Sequence, residues 1–214
     1  MIVECNGLPG CGKTTLVEEM SKKLSDMGIL HTVAGVNTFR YGNKIKRVVS
    51  LLNRSIVWTA LSSKKGTESL FFLSFKERLI TLMYLHYLIT EYTRAGCLIV
   101  SDEGIVQTLA TVSSFTDTET KDTKAAKDLL RSEKLLELNC ELSIHDSIKR
   151  IADRKRNDSA IDSLQGDALV NYLSHHDDRL QSLRKICTYS YALDMKKSVG
   201  DLVAEVTKML EENL

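Results

Sequence analysis

The stretch GLPGCGKTT, from Gly7 to Thr15, has the residue types and spacing of a phosphate-binding loop. It fills every fixed position of the template G-x-x-x-x-G-K-[ST]. Glycines let backbone N–H groups converge on phosphate oxygens, the lysine brings a cation to the outer phosphates, and the threonine hydroxyl can reach Mg²⁺. An apolar MIVEC precedes the loop and a helical pattern follows it, as a phosphate loop requires. We therefore expect ATP to contact Gly7, Pro9, Gly10, Cys11, Gly12, Lys13, Thr14 and Thr15.

An acidic pair closes the apolar run CLIVSDEG. A carboxylate at the end of such a strand typically holds Mg²⁺, so we expect Asp102 to bind the metal, directly or through water, together with Thr14. Glu103 has two open roles. It could activate a water molecule, as in ATPases with paired acidic residues, or take a proton from an acceptor hydroxyl. A solvated loop glutamate is the third alternative.

Two arginines in SIKRIADRKRNDS are spaced to share one helical face. Guanidinium groups suit the negative charge that spreads over a transferring phosphoryl group, so we expect Arg150 and Arg154 to be catalytic. The segment after them contains Asn157 and Asp158 and runs towards Gly166. This pattern predicts a closing lid at about 150–166, although a solvated basic helix face remains the alternative.

Two other arginines are candidates for substrate binding. Arg40 comes soon after the second predicted strand and is expected to enter the cleft. Arg78 lies in an otherwise apolar helical segment, where a charge needs a partner. That partner is either the neighbouring Glu77 or a ligand phosphate.

The apolar pattern predicts five strands that alternate with helices, which is typical of a parallel sheet covered on both faces. The length of 214 residues predicts one domain, 1–214, with a helical insert at about 43–95. The predicted strands are Ile2–Cys5, Ile29–Ala34, Cys97–Ser101, Cys140–Ile144 and Tyr189–Leu193.

Composition excludes several classes of protein. With 29 basic and 28 acidic residues the net charge is +1, so nothing steers the chain towards nucleic acid or an anionic membrane. The apolar segment LITLMYLHYLIT is too short to span a bilayer, and the first residues do not form a signal peptide.

Five cysteines without metal-ligand spacing are typical of small buried residues in a reducing compartment, so we expect a cytoplasmic protein. His175 and His176 also lack metal spacing and are expected to be structural.

Taken together, the motifs resemble the thymidylate kinase-like branch of the phosphate-loop kinases, which is related to the deoxynucleoside kinases. The resemblance is carried by GLPGCGKTT, FLSFKER, LIVSDEGIVQTLA, SIKRIADRKRNDS and YALDMKKSVGDLVAEV. It implies a three-layer α/β sandwich with a five-stranded parallel sheet in the order 2-3-1-4-5, using ATP and Mg²⁺. It also implies ATP contacts at Met195 and Lys196 and a substrate contact at Gln107. The chain departs from the family at Asp102-Glu103, where the family has Asp-Arg.

The sequence thus predicts an ATP-dependent kinase of a small molecule, with a nucleotide or nucleoside as the default acceptor. An ATPase switch with a protein partner is the first alternative, and a kinase acting on a sugar or another hydroxyl acceptor is the second. A GTPase is disfavoured because GNKIKR places Lys46 where the guanine-reading motif N-K-x-D has its aspartate. A homodimer is left open.

Overall fold

The computed structural model of the chain describes residues 1–35, 75–114, 116, 119–153, 161 and 164–213. Its centre is a five-stranded sheet in the order β2-β3-β1-β4-β5, and every strand pairing is parallel. Val3 of the central strand pairs with Val100 on one side and Leu136 on the other. The strands are β1 Ile2–Asn6, β2 His31–Ala34, β3 Leu98–Ser101, β4 Leu135–Glu141 and β5 Tyr189–Asp194. The predicted fold class and strand order are confirmed.

Helices cover both faces of this sheet. On one face, α1 and α7 pack on Val3 and Cys5 of β1. On the other face, α2, α3, α4 and α6 pack on Ile2 of the same strand, because successive side chains of a strand point to opposite faces. The described helices are α1 Lys13–Asp26, α2 Phe75–Arg94, α3 Ile105–Val112, α4 Lys121–Leu130, α5 Ile144–Asp153, α6 Gly166–Arg184 and α7 Val199–Asn213.

The predicted position of the fourth strand is wrong. The strand begins at Leu135 and ends at Glu141, whereas Ile144 is the first residue of α5. The reason is Glu137, which interrupts the apolar pattern although its side chain is fully buried. Arg184 of α6 donates to its carboxylate, with Nε 3.3 Å from Oε1, so the buried charge has a partner.

The long apolar segment is a helix, as predicted, and its inner face is buried through Leu82, Leu85 and Leu88. Within the described parts of the chain, none of the helices combines the length and apolarity that a bilayer crossing needs. Residues 43–74 of the predicted insert and residues 154–160 and 162–163 of the predicted lid lie outside the described residues. Arg40 and Arg154 are therefore outside them as well, and their roles stay predictions.

Candidate phosphate and metal site

The loop between β1 and α1 has the backbone that its sequence requires. Gly12 directly precedes α1 with φ of 107°, a left-handed conformation that favours glycine. Its carbonyl accepts the first helical hydrogen bond, from the N–H of Leu16. The N-terminus of α1 therefore opens onto the loop, where its unpaired N–H groups and dipole favour a bound anion.

Lys13 begins α1 and folds back over the loop. Its ammonium group donates to the carbonyls of Gly7 and Leu8, at 2.8 and 3.0 Å. The thiol of Cys11 lies 3.7 Å from the same nitrogen. A hydrogen bond with the Cys140 thiol, together with burial, raises the pKa of Cys11 well above its usual range. Cys11 is therefore a neutral thiol, which places no negative charge beside the phosphate loop.

Thr14 and Asp102 meet at the mouth of this loop. The Thr14 hydroxyl donates to Oδ2 of Asp102 at 2.7 Å. Gly35, which follows β2, is also close, since a Cβ there would stand 2.7 Å from Oδ1. A hydroxyl and a carboxylate are hard oxygen donors, and Mg²⁺ is usually held by one or two carboxylates together with substrate phosphates and water. The pair therefore fits Mg²⁺, although the described residues contain no cluster of three or more His, Cys, Asp or Glu able to hold a metal alone.

Helix α5 fixes the outer side of the loop. Arg150 uses both arms of its guanidinium group, donating to the carbonyls of Cys11 at 2.9 Å and Met195 at 3.0 Å. One turn earlier, the Ser147 hydroxyl donates to the carbonyl of Pro9 at 2.5 Å. Sequence reasoning did not identify Ser147, whose small polar type is common on helices. Arg150 thus lies at the loop and joins it to the segment after β5, while its catalytic role stays a prediction.

That segment contains the two residues implied by the resemblance. Met195 is buried, and its terminal methyl group lies 3.4 Å from the position of a Cβ on Gly12. Lys196 is largely exposed, 3.5 Å from Asp146, and lines a cavity of about 380 Å³ beside Gly7. The structure therefore brings Met195 against the loop and leaves the Lys196 side chain beside it.

Glu103 follows Asp102 directly and is half-buried. The Tyr84 hydroxyl of α2 donates to its backbone carbonyl at 2.6 Å. Burial, with the charge of Glu103 as the next cause, raises the pKa of Tyr172 on α6 to about 12. Glu103 therefore stands where α2 and α6 approach the end of β3, next to Asp102.

Glu4 of β1 holds the turn at residues 102–104, which joins β3 to α3. Its fully buried carboxylate accepts the N–H groups of Ile105 at 2.5 Å and Val106 at 3.3 Å, the first two residues of α3. A Cβ on Gly104 would overlap this carboxylate. Burial raises the pKa of Glu4, while the backbone hydrogen bonds oppose the shift. Sequence reasoning missed Glu4, but a charge inside the apolar run MIVEC was the available signal.

Two predicted substrate residues fall among the described ones. Gln107 is buried beneath the loop, where it contacts the N–H of Gly7 and the ring of His176. Both ends of its amide are therefore engaged with the protein, and its substrate role stays a prediction. Arg78 lies near the N-terminus of α2. The middle of this helix lies at the carboxyl end of β3, where Tyr84 contacts Glu103, and the substrate role of Arg78 stays a prediction.

No protein-family model matches the chain, and no curated protein matches it. Solved structures match it over nearly the whole length. A deoxyadenosine kinase from M. mycoides, with products dCMP and a flexible dCDP bound, is 15% identical, with 99% of each chain covered and a TM-score of 0.54. Shikimate kinase from Acinetobacter baumannii, in complex with shikimate, is 13% identical over 99% of this chain and 93% of that one, with a TM-score of 0.56.

The YorR protein of Bacillus subtilis, in complex with phosphorylated GDP, is 10% identical over 99% of this chain and 96% of that one, with a TM-score of 0.56. The chain has the fold of the phosphate-loop kinases. The resemblance predicted from the sequence is thus confirmed for the fold. At these identities the likeness carries over the strand order and the place of the loop, while the chemistry depends on the residues themselves.

Proposed function

We propose that the protein is an ATP- and Mg²⁺-dependent phosphotransferase that acts on a small molecule, with a nucleoside or nucleotide as the default acceptor. The observation that carries the proposal is the 2.7 Å hydrogen bond between Thr14 and Asp102 at the mouth of a complete phosphate loop. Mg²⁺ bound there would neutralise charge on the outer phosphates of ATP. The kinase fold of the three similar structures supports the same class of reaction.

Lys13 is the residue that would respond to the nucleotide. In the free protein its ammonium group is satisfied by the carbonyls of Gly7 and Leu8. Phosphate oxygens are charged acceptors, which form stronger hydrogen bonds than neutral carbonyls do. Lys13 would therefore exchange these carbonyls for the outer phosphates when ATP binds.

Arg150 would hold the loop and the segment after β5 together around the nucleotide. Its two hydrogen bonds link Cys11 to Met195, so the loop and the segment with the proposed ATP contacts Met195 and Lys196 share one connection. A guanidinium fork suits this task because its donors have fixed geometry. Arg154, four positions further along the chain, is proposed to complete the clamp.

Glu103 favours a hydroxyl acceptor over a phosphate acceptor. A carboxylate beside the metal-binding pair can accept the proton that a hydroxyl loses during transfer. The same carboxylate would repel a monophosphate by roughly 4 kcal/mol at ~4 Å and an effective dielectric of 20. Arg78 and Arg40 are proposed to bind the acceptor and would have to offset that repulsion if the acceptor were charged.

A phosphotransfer screen tests the proposal. The protein is incubated with ATP and Mg²⁺ and with nucleosides, nucleoside monophosphates, and free or phosphorylated sugars, while ATP hydrolysis is measured in parallel. Transfer that Lys13→Ala abolishes supports the proposal. The control is Lys22→Ala, on the same helix but 69% exposed and paired with Glu19. Hydrolysis without any acceptor would instead favour an ATPase switch.

A further inference from the structure

A buried chain of two hydrogen bonds reaches the phosphate loop from α6. The N–H of Gly7 lies 3.3 Å from Oε1 of Gln107 on α3, and Nε2 of Gln107 lies 2.6 Å from Nε2 of His176 on α6. Gln107 and His176 are only 7% and 2% exposed, so these groups depend on each other rather than on bulk water for hydrogen bonds. Three separate elements therefore meet at one amide group.

The protonation of His176 follows from the chemistry of these groups. A backbone N–H can only donate, so the oxygen of the Gln107 amide must face Gly7. The NH₂ end of the amide must then face His176, and an NH₂ group can only donate as well. Nε2 of His176 is therefore the acceptor and carries no proton, which leaves the ring neutral with its proton on Nδ1.

We propose that His176 is a positioning residue that acts through Gln107 to fix the first peptide of the phosphate loop. This inference rests on the proposed function, because it assigns His176 a part in binding ATP. His176 holds the Gln107 amide with its oxygen towards Gly7. If the amide were rotated by 180°, its NH₂ group would face the N–H of Gly7. Both groups are donors, so neither would have an acceptor.

The surroundings of His176 keep the ring neutral. Burial, together with the positive charges of Lys13, Arg179 and Arg184, lowers the pKa of His176 to about 3. The ring also stacks on Tyr172, with centroids 5.7 Å apart and planes inclined by 9°. The acceptor nitrogen is thus available at every pH near neutrality, and the stack fixes the plane of the ring.

Gly7 is a sensitive place for such an anchor, because its N–H and its carbonyl belong to two successive peptide groups at the start of the loop. Its carbonyl accepts from Lys13 at 2.8 Å, while its N–H is held by Gln107 at 3.3 Å. A Cβ on Gly7 would stand 2.5 Å from the carbonyl oxygen of Cys140, so the backbone is wedged against β4. When Lys13 leaves the carbonyl for a phosphate, the Gln107 contact still holds the N–H of Gly7 in place. Binding then requires less ordering of the loop.

The first test determines which ring nitrogen of His176 carries the proton. Nitrogen NMR of the full-length, ¹⁵N-histidine-labelled protein distinguishes protonated from unprotonated ring nitrogens, and His176→Gln assigns the signals by their loss. We expect a protonated Nδ1 and an unprotonated Nε2 throughout the range of about pH 5 to 8 in which histidines usually titrate. A proton on Nε2, or a charged ring at neutral pH, would overturn the hydrogen-bond chain.

The second test separates positioning from folding. His176→Phe keeps a ring that can stack on Tyr172 but loses the acceptor, whereas His176→Gln restores an acceptor oxygen near the position of Nε2. We expect calorimetry to show roughly tenfold weaker binding of ATP with Mg²⁺ for His176→Phe, and recovery of most of the affinity for His176→Gln. His175→Phe, at the exposed neighbouring position, is the control and should bind as the wild type does.

Equal affinity in all variants, or an equal loss in both His176 variants with matching losses of melting temperature, would overturn the positioning role. Gln107→Glu provides a further readout, because a carboxylate facing Nε2 should draw a proton onto His176 and change its nitrogen shifts. A wild-type protein that binds no ATP would refute the proposed function and the positioning role together. The nitrogen shifts would still report whether the hydrogen-bond chain exists.

Discussion

Thr14 and Asp102 are 88 positions apart in the chain, and the hydroxyl of the first donates to the carboxylate of the second at 2.7 Å. This contact joins the start of α1 to the end of β3. Parallel strands bring their carboxyl ends to one edge of the sheet, where ligands bind in open α/β folds. The two oxygen donors proposed for Mg²⁺ therefore meet because of the strand order.

Removing the Thr14 hydroxyl should weaken the response to Mg²⁺. Thr14→Val keeps the shape of the side chain but loses one oxygen donor, and the residue is exposed, so stability should hardly change. We expect the Mg²⁺ concentration for half-maximal activity to rise severalfold, and Asp102→Asn to raise it further, since a charged ligand is lost. Thr93→Val, at an exposed site on α2, is the control. Unchanged Mg²⁺ dependence in both site variants would remove this pair from the metal site.

Replacing Arg150 with lysine should lower turnover. In Arg150→Lys a single ammonium group replaces the two arms that reach Cys11 and Met195. We expect kcat to fall more than the KM for ATP rises, and the free energy of unfolding to drop by about 1 kcal/mol for the lost hydrogen bond. Steady-state kinetics and chemical denaturation measure the two effects. Arg131→Lys, whose parent side chain is 59% exposed, should show neither, and normal kcat in Arg150→Lys would contradict its role.

The buried carboxyl of Glu4 should make stability depend on pH. Burial raises its pKa above the usual value of 4.5, so the folded state binds the proton more tightly than the unfolded state does. Its contribution to the free energy of unfolding is therefore greatest below about pH 4.5 and is lost as the pH rises through the folded pKa.

Glu4→Gln removes this titration. We expect the stability of the wild type relative to this variant to fall as the pH rises from about 4.5, as measured by denaturation at several pH values. Glu211→Gln, at an exposed position of α7, is the control. A difference that stays constant with pH, or grows with it, would show that Glu4 is not held as described.

The parts of the site that lie within one motif could be predicted from the sequence. The phosphate loop, Lys13 and Thr14 follow from local spacing, and Asp102 follows from an apolar run that ends in a carboxylate. The strand order came from the resemblance and agrees with the structure. The loop and the strand-end carboxylate are predictable because neighbouring residues determine them, whereas the strand order was predicted only through the resemblance.

Contacts between distant residues could not be predicted in the same way. Glu4 meets Ile105 across 101 positions, and His176 meets Gln107 across 69. The fourth strand was misplaced because Glu137 interrupts its apolar pattern, and the partner that explains this buried residue, Arg184, lies 47 positions away in the sequence. In each case a polar residue in an apolar pattern signals a buried partner, but only the fold identifies that partner.

Replacing Glu103 with glutamine should distinguish a hydroxyl acceptor from a phosphate acceptor. If Glu103 accepts the proton of a hydroxyl, Glu103→Gln should slow transfer to a nucleoside or sugar by roughly a hundredfold or more. ATP affinity should change little, because the phosphate loop and its contacts with Arg150 do not involve Glu103. Faster transfer to a nucleoside monophosphate in this variant would show that the acceptor is a phosphate.

The most direct measurement of the central claim follows the terminal phosphoryl group of ATP by phosphorus NMR, with and without Mg²⁺, in the presence of an acceptor from the screen. We predict one phosphorylated acceptor for each ADP formed, an absolute need for Mg²⁺, and a loss of about 3 kcal/mol or more in transition-state stabilisation for Lys13→Ala. Formation of ADP with inorganic phosphate alone, whatever acceptor is added, would contradict a phosphotransferase.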